Sequence, residues 1–352
     1  MGRVSGAIAA TGSQSKVGIF ERGDIVVRAL GAYLVGGARP GDPRTGSFGI
    51  EEIIRRLPSP AHFDVRWLEP EEHSNVDQLV LRRQHFGRDD LARFPSLGRI
   101  VVFGRKSWIV DPRVADRVEV LISPRPSLQR TAEHALTLME LAFRRAAELV
   151  VGPSDLTRGG SAPPVGNPEL QKGSYNWADR FTPRFLSDSR VGLVGLGDVG
   201  LELATLLRGR VDGLAYWSRS RVPREVETAV GIEHFESLHE MLAVSDIVSI
   251  HVGPTRAPVI DRRALAHLRH DAVVINTARA GSWDEVAVLE AVRDHRVAAA
   301  ATDVLSSEPP ASELSEFTKH VIVTPHLAGG PPARVGEEFR QVAARLAGLD
   351  PA

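Results

Sequence analysis

The sequence predicts an α/β protein of two domains built on parallel sheets. Three observations carry this. From residue 63 onwards, short apolar runs that end near a glycine alternate with helical spacings. A G-x-G-x-x-G motif stands where one such run gives way to a helical pattern. The chain has 352 residues, more than one hydrophobic core usually holds.

The elements follow in order. The first 60 residues carry little pattern, and residues 36–49 (GGARPGDPRTGSFG) read as a mobile loop. FDVRWLE (63–69) and VDQLVLR (76–82) read as strands. FGRDDLARFP (86–95) reads as a helix closed by Pro95, and LGRIVVFG (97–104) as a buried parallel strand. Residues 131–150 form the longest helical pattern, with Thr131 as its N-cap. Residues 152–189, with PPVGNP at 163–168, read as a loop or domain crossing. A second α/β series starts at Arg190 and runs to HVIVTPH at 320–326.

Composition narrows the function classes. The chain is 43% hydrophobic and 25% charged, as globular proteins are. It holds 43 basic and 44 acidic residues, net −1, so no chain-wide attraction to nucleic acid or an anionic membrane is expected. It has no cysteine, which excludes disulfides, thiolate metal sites and cysteine nucleophiles. No His/Asp/Glu spacing suggests a metal site. The N-terminus lacks the apolar core of a signal peptide, and no run approaches the ~20 apolar residues of a membrane span. A cytoplasmic location is expected.

The motif is Gly195-Leu196-Gly197-Asp198-Val199-Gly200. It follows an apolar strand and opens a helix, as a Rossmann-type dinucleotide loop requires. The first Gly permits the tight turn, the second lets backbone approach a pyrophosphate, and the third allows helix and strand to pack closely. The N–H groups at the helix start then hold phosphate. An NAD site usually carries an acid about 20 positions after the loop, on the ribose 2′-OH. Here that place holds Ser218-Arg219-Ser220-Arg221. A carboxylate would repel a 2′-phosphate, whereas Ser and Arg bind one, so NADP is the expected cofactor. Arg219 is the first choice of phosphate ligand, with Ser218, Ser220 and Arg221 assisting. If these arginines are instead solvated surface residues, the site takes NAD.

Three further segments follow in order: INTARAGSWDE (275–285), AATDVLSSEPP (300–310) and VIVTPHLAGG (321–330). With the glycine loop they resemble the D-isomer-specific 2-hydroxyacid dehydrogenases, of the glyoxylate/hydroxypyruvate reductase kind. The resemblance is strong over residues 97–330 and weak before residue 63. It implies that Arg279 binds a substrate carboxylate, which its planar, permanently charged fork suits. It implies that His326 is the general acid/base and that Glu308 holds it. Asp303 is implied at the nicotinamide end, and Thr277 is expected beside the cofactor. The other histidines, His134, His239 and His251 among them, are read as structural.

The resemblance further implies a discontinuous, flavodoxin-like substrate domain, residues 1–128 and 325–352. A cofactor domain would span 129–324, with the site in the cleft between them. It also implies a homodimer through the long helix, whose apolar face could equally be ordinary core. Departures are visible. Where relatives have a Gly-rich carboxylate-binding loop, this chain has Gly104-Arg105-Lys106-Ser107-Trp108, with Asp111 retained. Lys106 replaces a Gly, so the loop binds a more anionic substrate, or substrate binding is altered or lost. Gly253 replaces a Pro, and Trp283 is bulky where relatives are small. The expected activity is reduction of a small 2-oxo acid to a D-2-hydroxy acid. The alternatives are oxidation of formate or a phosphorus oxyanion, or a dinucleotide-sensing interaction protein on the same fold.

Overall fold

The computed structural model describes residues 15–19, 63–67, 78–81, 85–144, 184–253, 255–309 and 320–330, with single positions between 337 and 345. The expected loops at 36–49 and 163–168, and Pro254, lie outside the described residues. The chain divides into two compact units, Met1–Pro126 with Pro331–Ala352, and Ser127–Gly330.

The first unit holds a parallel sheet of β1 (Ser15–Ile19), β2 (Phe63–Trp67), β3 (Gln78–Leu81), β4 (Arg99–Phe103) and β5 (Glu119–Ser123). Its strand order is β2-β1-β3-β4-β5, the flavodoxin-like order. β4 is an apolar interior strand, with Ile100, Val101 and Val102 fully buried. Helices α1 (Arg88–Leu91) and α2 (Pro112–Ala115) are single turns. The helical spacing of 86–95 therefore yields less helix than expected. The chain turns back at Arg93 and Phe94, whose N–H groups reach only three residues upstream. Asp111 caps α2 by accepting the Arg113 N–H, and Pro112 sits in the first turn, where its missing N–H costs nothing. The core gathers Leu79, Phe86, Phe94, Ile100 and Val114. β1 lies in the segment where the sequence carried little pattern.

The second unit begins with α3 (Pro126–Phe143). Thr131 is not its N-cap. It stands inside the helix and its hydroxyl donates to Ser127 O, so the helix starts five residues earlier, at Pro126. A seven-stranded parallel sheet follows: β6 (Arg190–Val194), β7 (Gly213–Trp217), β8 (Glu233–His234), β9 (Ile247–Ile250), β10 (Val273–Asn276), β11 (Ala299–Thr302) and β12 (Val321–Val323). Its order, β12-β11-β10-β9-β6-β7-β8, is the Rossmann order with one added strand. β9, β10 and β11 are buried along their whole length, as strands covered on both faces must be.

The crossover helices are α4 (Asp198–Leu207), α5 (Arg224–Val230), α6 (Leu238–Val244), α7 (Arg262–Leu265) and α8 (Glu285–Arg293). Side chains fix their starts. Ser237, Asp261 and Asp284 each accept the N–H three residues on. Gly231, at φ 75°, ends α5 in the left-handed region that glycine tolerates. Trp283 is core, packed with Val248, Val274 and Ala287. Among the described residues no helix is long and apolar enough to cross a membrane.

Candidate active site

The candidate residues of the second unit stand at the carboxyl ends of β6, β7, β10, β11 and β12. The glycine loop leaves β6. Gly195 has φ +97°, and a Cβ there would stand 2.9 Å from His251 O. A Cβ on Gly200 would stand 2.4 Å from Gly195 O. Both positions therefore exclude a side chain. Gly197 is the N-cap of α4 and has no side chain to cap it. The first-turn N–H groups, on Asp198, Val199 and Gly200, are left for an outside acceptor. One carboxylate oxygen of Asp198 is also buried without a partner among the described residues. A loop cleared of side chains, with unspent donors at a helix start, fits a pyrophosphate.

The loop after β7 has no carboxylate between Ser218 and Val222. Ser218 Oγ donates to Ser220 O. Arg219 is exposed. Arg221 is not free to assist: Nε and Nη2 donate to Glu227 Oε1 and Oε2, both at 2.8 Å. Tyr216 OH donates to Glu227 Oε1 at 2.7 Å. The Arg221 hydrogen bonds hold the Glu227 carboxyl down at about 2, against the opposing effect of burial. Burial, helped by Glu227, pushes the Tyr216 hydroxyl well above its ordinary value.

The remaining residues cluster at the ends of β10, β11 and β12. Asn276 shapes the turn after β10: its Oδ1 accepts the Ala278 N–H and its Nδ2 donates to Arg279 O. Arg279 Nη1 donates to Ala278 O at 2.6 Å. Thr277 is buried, and its hydroxyl has no partner among the described residues, so it remains available to a bound group.

His326 Nδ1 and Glu308 Oε2 are 2.8 Å apart. An ionised carboxylate can only accept, so Nδ1 carries the proton and Nε2 is left for substrate. Glu308 Oε1 also accepts the Leu305 N–H. Burial raises the Glu308 pKa. The bonds from His326 and Leu305, with the charges of His326 and Arg279, outweigh it and hold the group below its ordinary value. The side chains of His326 and Glu308 are 51% and 41% exposed, open to a ligand.

Asp303 has a role not foreseen. It is 1% exposed, and its carboxylate accepts Thr324 Oγ1 and the N–H groups of Leu327 and Ala328, at 2.6, 2.8 and 2.8 Å. It thus fixes the backbone around His326, which sits at φ 54°. His134, on α3, reaches the same cluster, 2.9 Å from Thr324 Oγ1 and 3.4 Å from Asp303 Oδ1. Glu285 binds both the N–H and the hydroxyl of Ser306, steadying the segment that carries Glu308.

The expected substrate loop lies in the first unit, at the end of β4. Gly104 has φ 144° and its N–H donates to Ser123 O. Arg105 and Lys106 follow, and Lys106 precedes a 3₁₀ turn, Ser107–Ile109. Trp108 lies against the core of that unit. Among the described residues no group of three metal-ligating side chains exists.

Comparison with known proteins finds relatives. Residues 165–328 match the D-isomer specific 2-hydroxyacid dehydrogenase, NAD binding domain. A D-3-phosphoglycerate dehydrogenase of Mycobacterium leprae is 30% identical over 283 residues, 75% of this chain and 48% of that protein. The chain is thus similar to the D-isomer specific 2-hydroxyacid dehydrogenases, and its match to their NAD binding domain spans residues 165–328. It spans about half the length of the first curated relatives it matches. A glyoxylate reductase of Thermococcus litoralis is 27% identical over 263 residues, 73% of this chain and 75% of that protein. The fold is shared with the NADPH-dependent glyoxylate/hydroxypyruvate reductase of Sinorhizobium meliloti, at TM-score 0.51 and 20% identity, covering 95% and 94% of the two chains.

The sequence reading named Arg279, Glu308 and His326, did not name Glu227, Tyr216 or Glu285, and took His134 as structural. The acid at 227 was invisible to a search confined to the end of β7, because it reaches that loop from α5. Tyr216, Arg221 and Glu227 stand five and six positions apart on strand, loop and helix, so no periodic spacing marked them.

Proposed function

We propose that this protein is an NADP(H)-dependent oxidoreductase that interconverts a small 2-oxo acid and a D-2-hydroxy acid. The His326–Glu308 pair carries the reading: an accessible imidazole with one nitrogen fixed by a carboxylate and the other available. The second unit binds the cofactor through Gly195, Gly197, Gly200 and the first turn of α4, with Thr277 beside it. The first unit is the substrate-binding one, with Gly104, Arg105 and Lys106 at its loop. A homodimer in the cytoplasm belongs to the same reading.

The bound nicotinamide supplies or takes up the hydride. The chain's own residues do the rest. Arg279 holds the substrate carboxylate with its planar fork. Reduction at C2 leaves negative charge on the carbonyl oxygen, and His326 Nε2 delivers a proton there. In the other direction neutral Nε2 removes the hydroxyl proton. Glu308 keeps the ring oriented and stabilises the imidazolium.

NADP(H) is favoured because no carboxylate stands on 218–222 to repel a 2′-phosphate, while the exposed Arg219 can hold one. The test follows absorbance of NADPH, and separately NADH, with a panel of small 2-oxo acids, formate and phosphite in parallel. Turnover of a 2-oxo acid with NADPH preferred is expected. Oxidation of formate or phosphite alone, or silence across the panel, would overturn the reading.

A further inference from the structure

Tyr216, Arg221, Val222 and Glu227 form a clamp that the proposed chemistry does not use. Tyr216, near the end of β7, is fully buried. Its hydroxyl donates to Glu227 Oε1 at 2.7 Å and accepts the Val222 N–H at 3.1 Å. Arg221 binds both oxygens of the same carboxylate. Glu227, on α5, is only 8% exposed. Strand, loop and helix are therefore joined at one carboxylate. Held between the anchors are Ser218, Arg219 and Ser220, with an internal bond from Ser218 Oγ to Ser220 O.

Physical chemistry gives this arrangement a purpose. A loop that must be ordered on binding loses part of its contact energy to that ordering, and a loop already fixed does not. An acid next to an anion-binding loop repels the anion unless its charge is cancelled, and the two-pronged bond from Arg221 cancels it.

We propose that Glu227, with Tyr216 and Arg221, positions residues 218–220 to receive the 2′-phosphate of NADP(H), and so sets cofactor choice. Arg221 acts through Glu227, and Arg219 is the arginine that meets the phosphate. This rests on the NADP(H) reading above.

If Glu227 mattered only as a nearby negative charge, Glu227→Gln would tighten NADPH binding. If it holds the loop, the same change weakens it, because Gln offers Arg221 one acceptor where the carboxylate offered two.

Dissociation constants for NADPH and NADH, measured by calorimetry on the full chain, separate the two. Glu227→Gln is expected to weaken NADPH about tenfold and leave NADH within about twofold, the scale of one mis-set charge-assisted contact. Tyr216→Phe should show a smaller loss of the same selectivity. Glu227→Gln/Arg221→Gln should be no worse than Glu227→Gln alone, since both act through one pair. Unchanged or tighter NADPH binding by Glu227→Gln, or equal loss of both cofactors, overturns the clamp. If Glu227→Gln does not fold, Tyr216→Phe decides by the same criterion. Arg219→Ala tests the underlying reading separately: if it leaves the NADPH-to-NADH ratio unchanged, the phosphate contact is wrong whatever the clamp variants do.

Discussion

Behind the glycine loop, at the end of β9, stands the buried side chain of His251. Its Nε2 shares a hydrogen bond with Ser249 Oγ at 2.8 Å, and its Nδ1 is buried without a partner among the described residues. Burial pushes its pKa down to about 3 from 6.5. Below pH 6.5 the unfolded chain takes up a proton there and the folded one does not. Stability therefore falls as pH drops from about 6.5 to about 3, by up to about 1.4 kcal/mol per pH unit from this group. His251→Gln removes that dependence. In urea unfolding at pH 7, 6 and 5 the wild-type advantage over the variant should shrink as pH falls, and a constant gap would refute the assignment.

His326 and Asp303 give two further expectations at this scale. His326→Gln should lower turnover about 10²–10⁴-fold with cofactor affinity kept. Asp303→Asn takes away an acceptor that holds Leu327 or Ala328, so it should lower kcat about ten- to a hundredfold by displacing His326. If the KM for NADPH moves in its place, Asp303 acts on the cofactor. Arg279, Glu308 and His326 were named in the sequence through the resemblance, and the structure puts Glu308 against His326. The grip of Asp303 on two backbone N–H groups leaves no trace in residue type, and neither does the reach of His134 from a distant helix.

Elements were legible where burial dictated composition. β4 is buried from Ile100 to Phe103, so its apolar run announced it. β1 is a short SKVGI with polar neighbours and no alternation to read. The start of α3 was missed because PSLQR looks like a turn, while Leu128 packs and Thr131 bonds back to Ser127 O. The joint between β6 and α4 is the element most sensitive to change. A Cβ at Gly200 would lie 2.4 Å from Gly195 O, and backbone cannot swing aside. Gly209 offers the contrast, with φ +71° and nothing within 4 Å of an added Cβ. Gly200→Ala should therefore abolish NADPH binding and cost about 1–3 kcal/mol of stability. Gly209→Ala should cost about 1–2 kcal/mol through backbone strain alone and leave NADPH binding intact. Calorimetric titration with unfolding curves on both variants checks the pair, and equal binding by both would sink the argument.

Across the whole molecule, length predicted more than one core, and the structure holds separate ones. Leu79, Phe86, Ile100 and Val114 belong to one, and Val194, Val248, Val274 and Ala300 to another, with no buried residue shared. The grouping of the C-terminal residues with the first unit came from the resemblance and not from their composition. Each unit buries its own apolar surface, so each has its own unfolding free energy. A ligand stabilises only what it binds, by about 2.7 kcal/mol at a hundredfold excess over its Kd. The pyrophosphate loop, the 218–222 loop and the His326 cluster all lie within Ser127–Gly330. Scanning calorimetry should therefore resolve more than one transition, and saturating NADPH should raise one of them while another stays in place. Arg219→Ala should reduce that rise and leave the unshifted transition untouched. A single transition that moves as a whole with NADPH would mean that the cores unfold together, and that cofactor binding stabilises the entire chain.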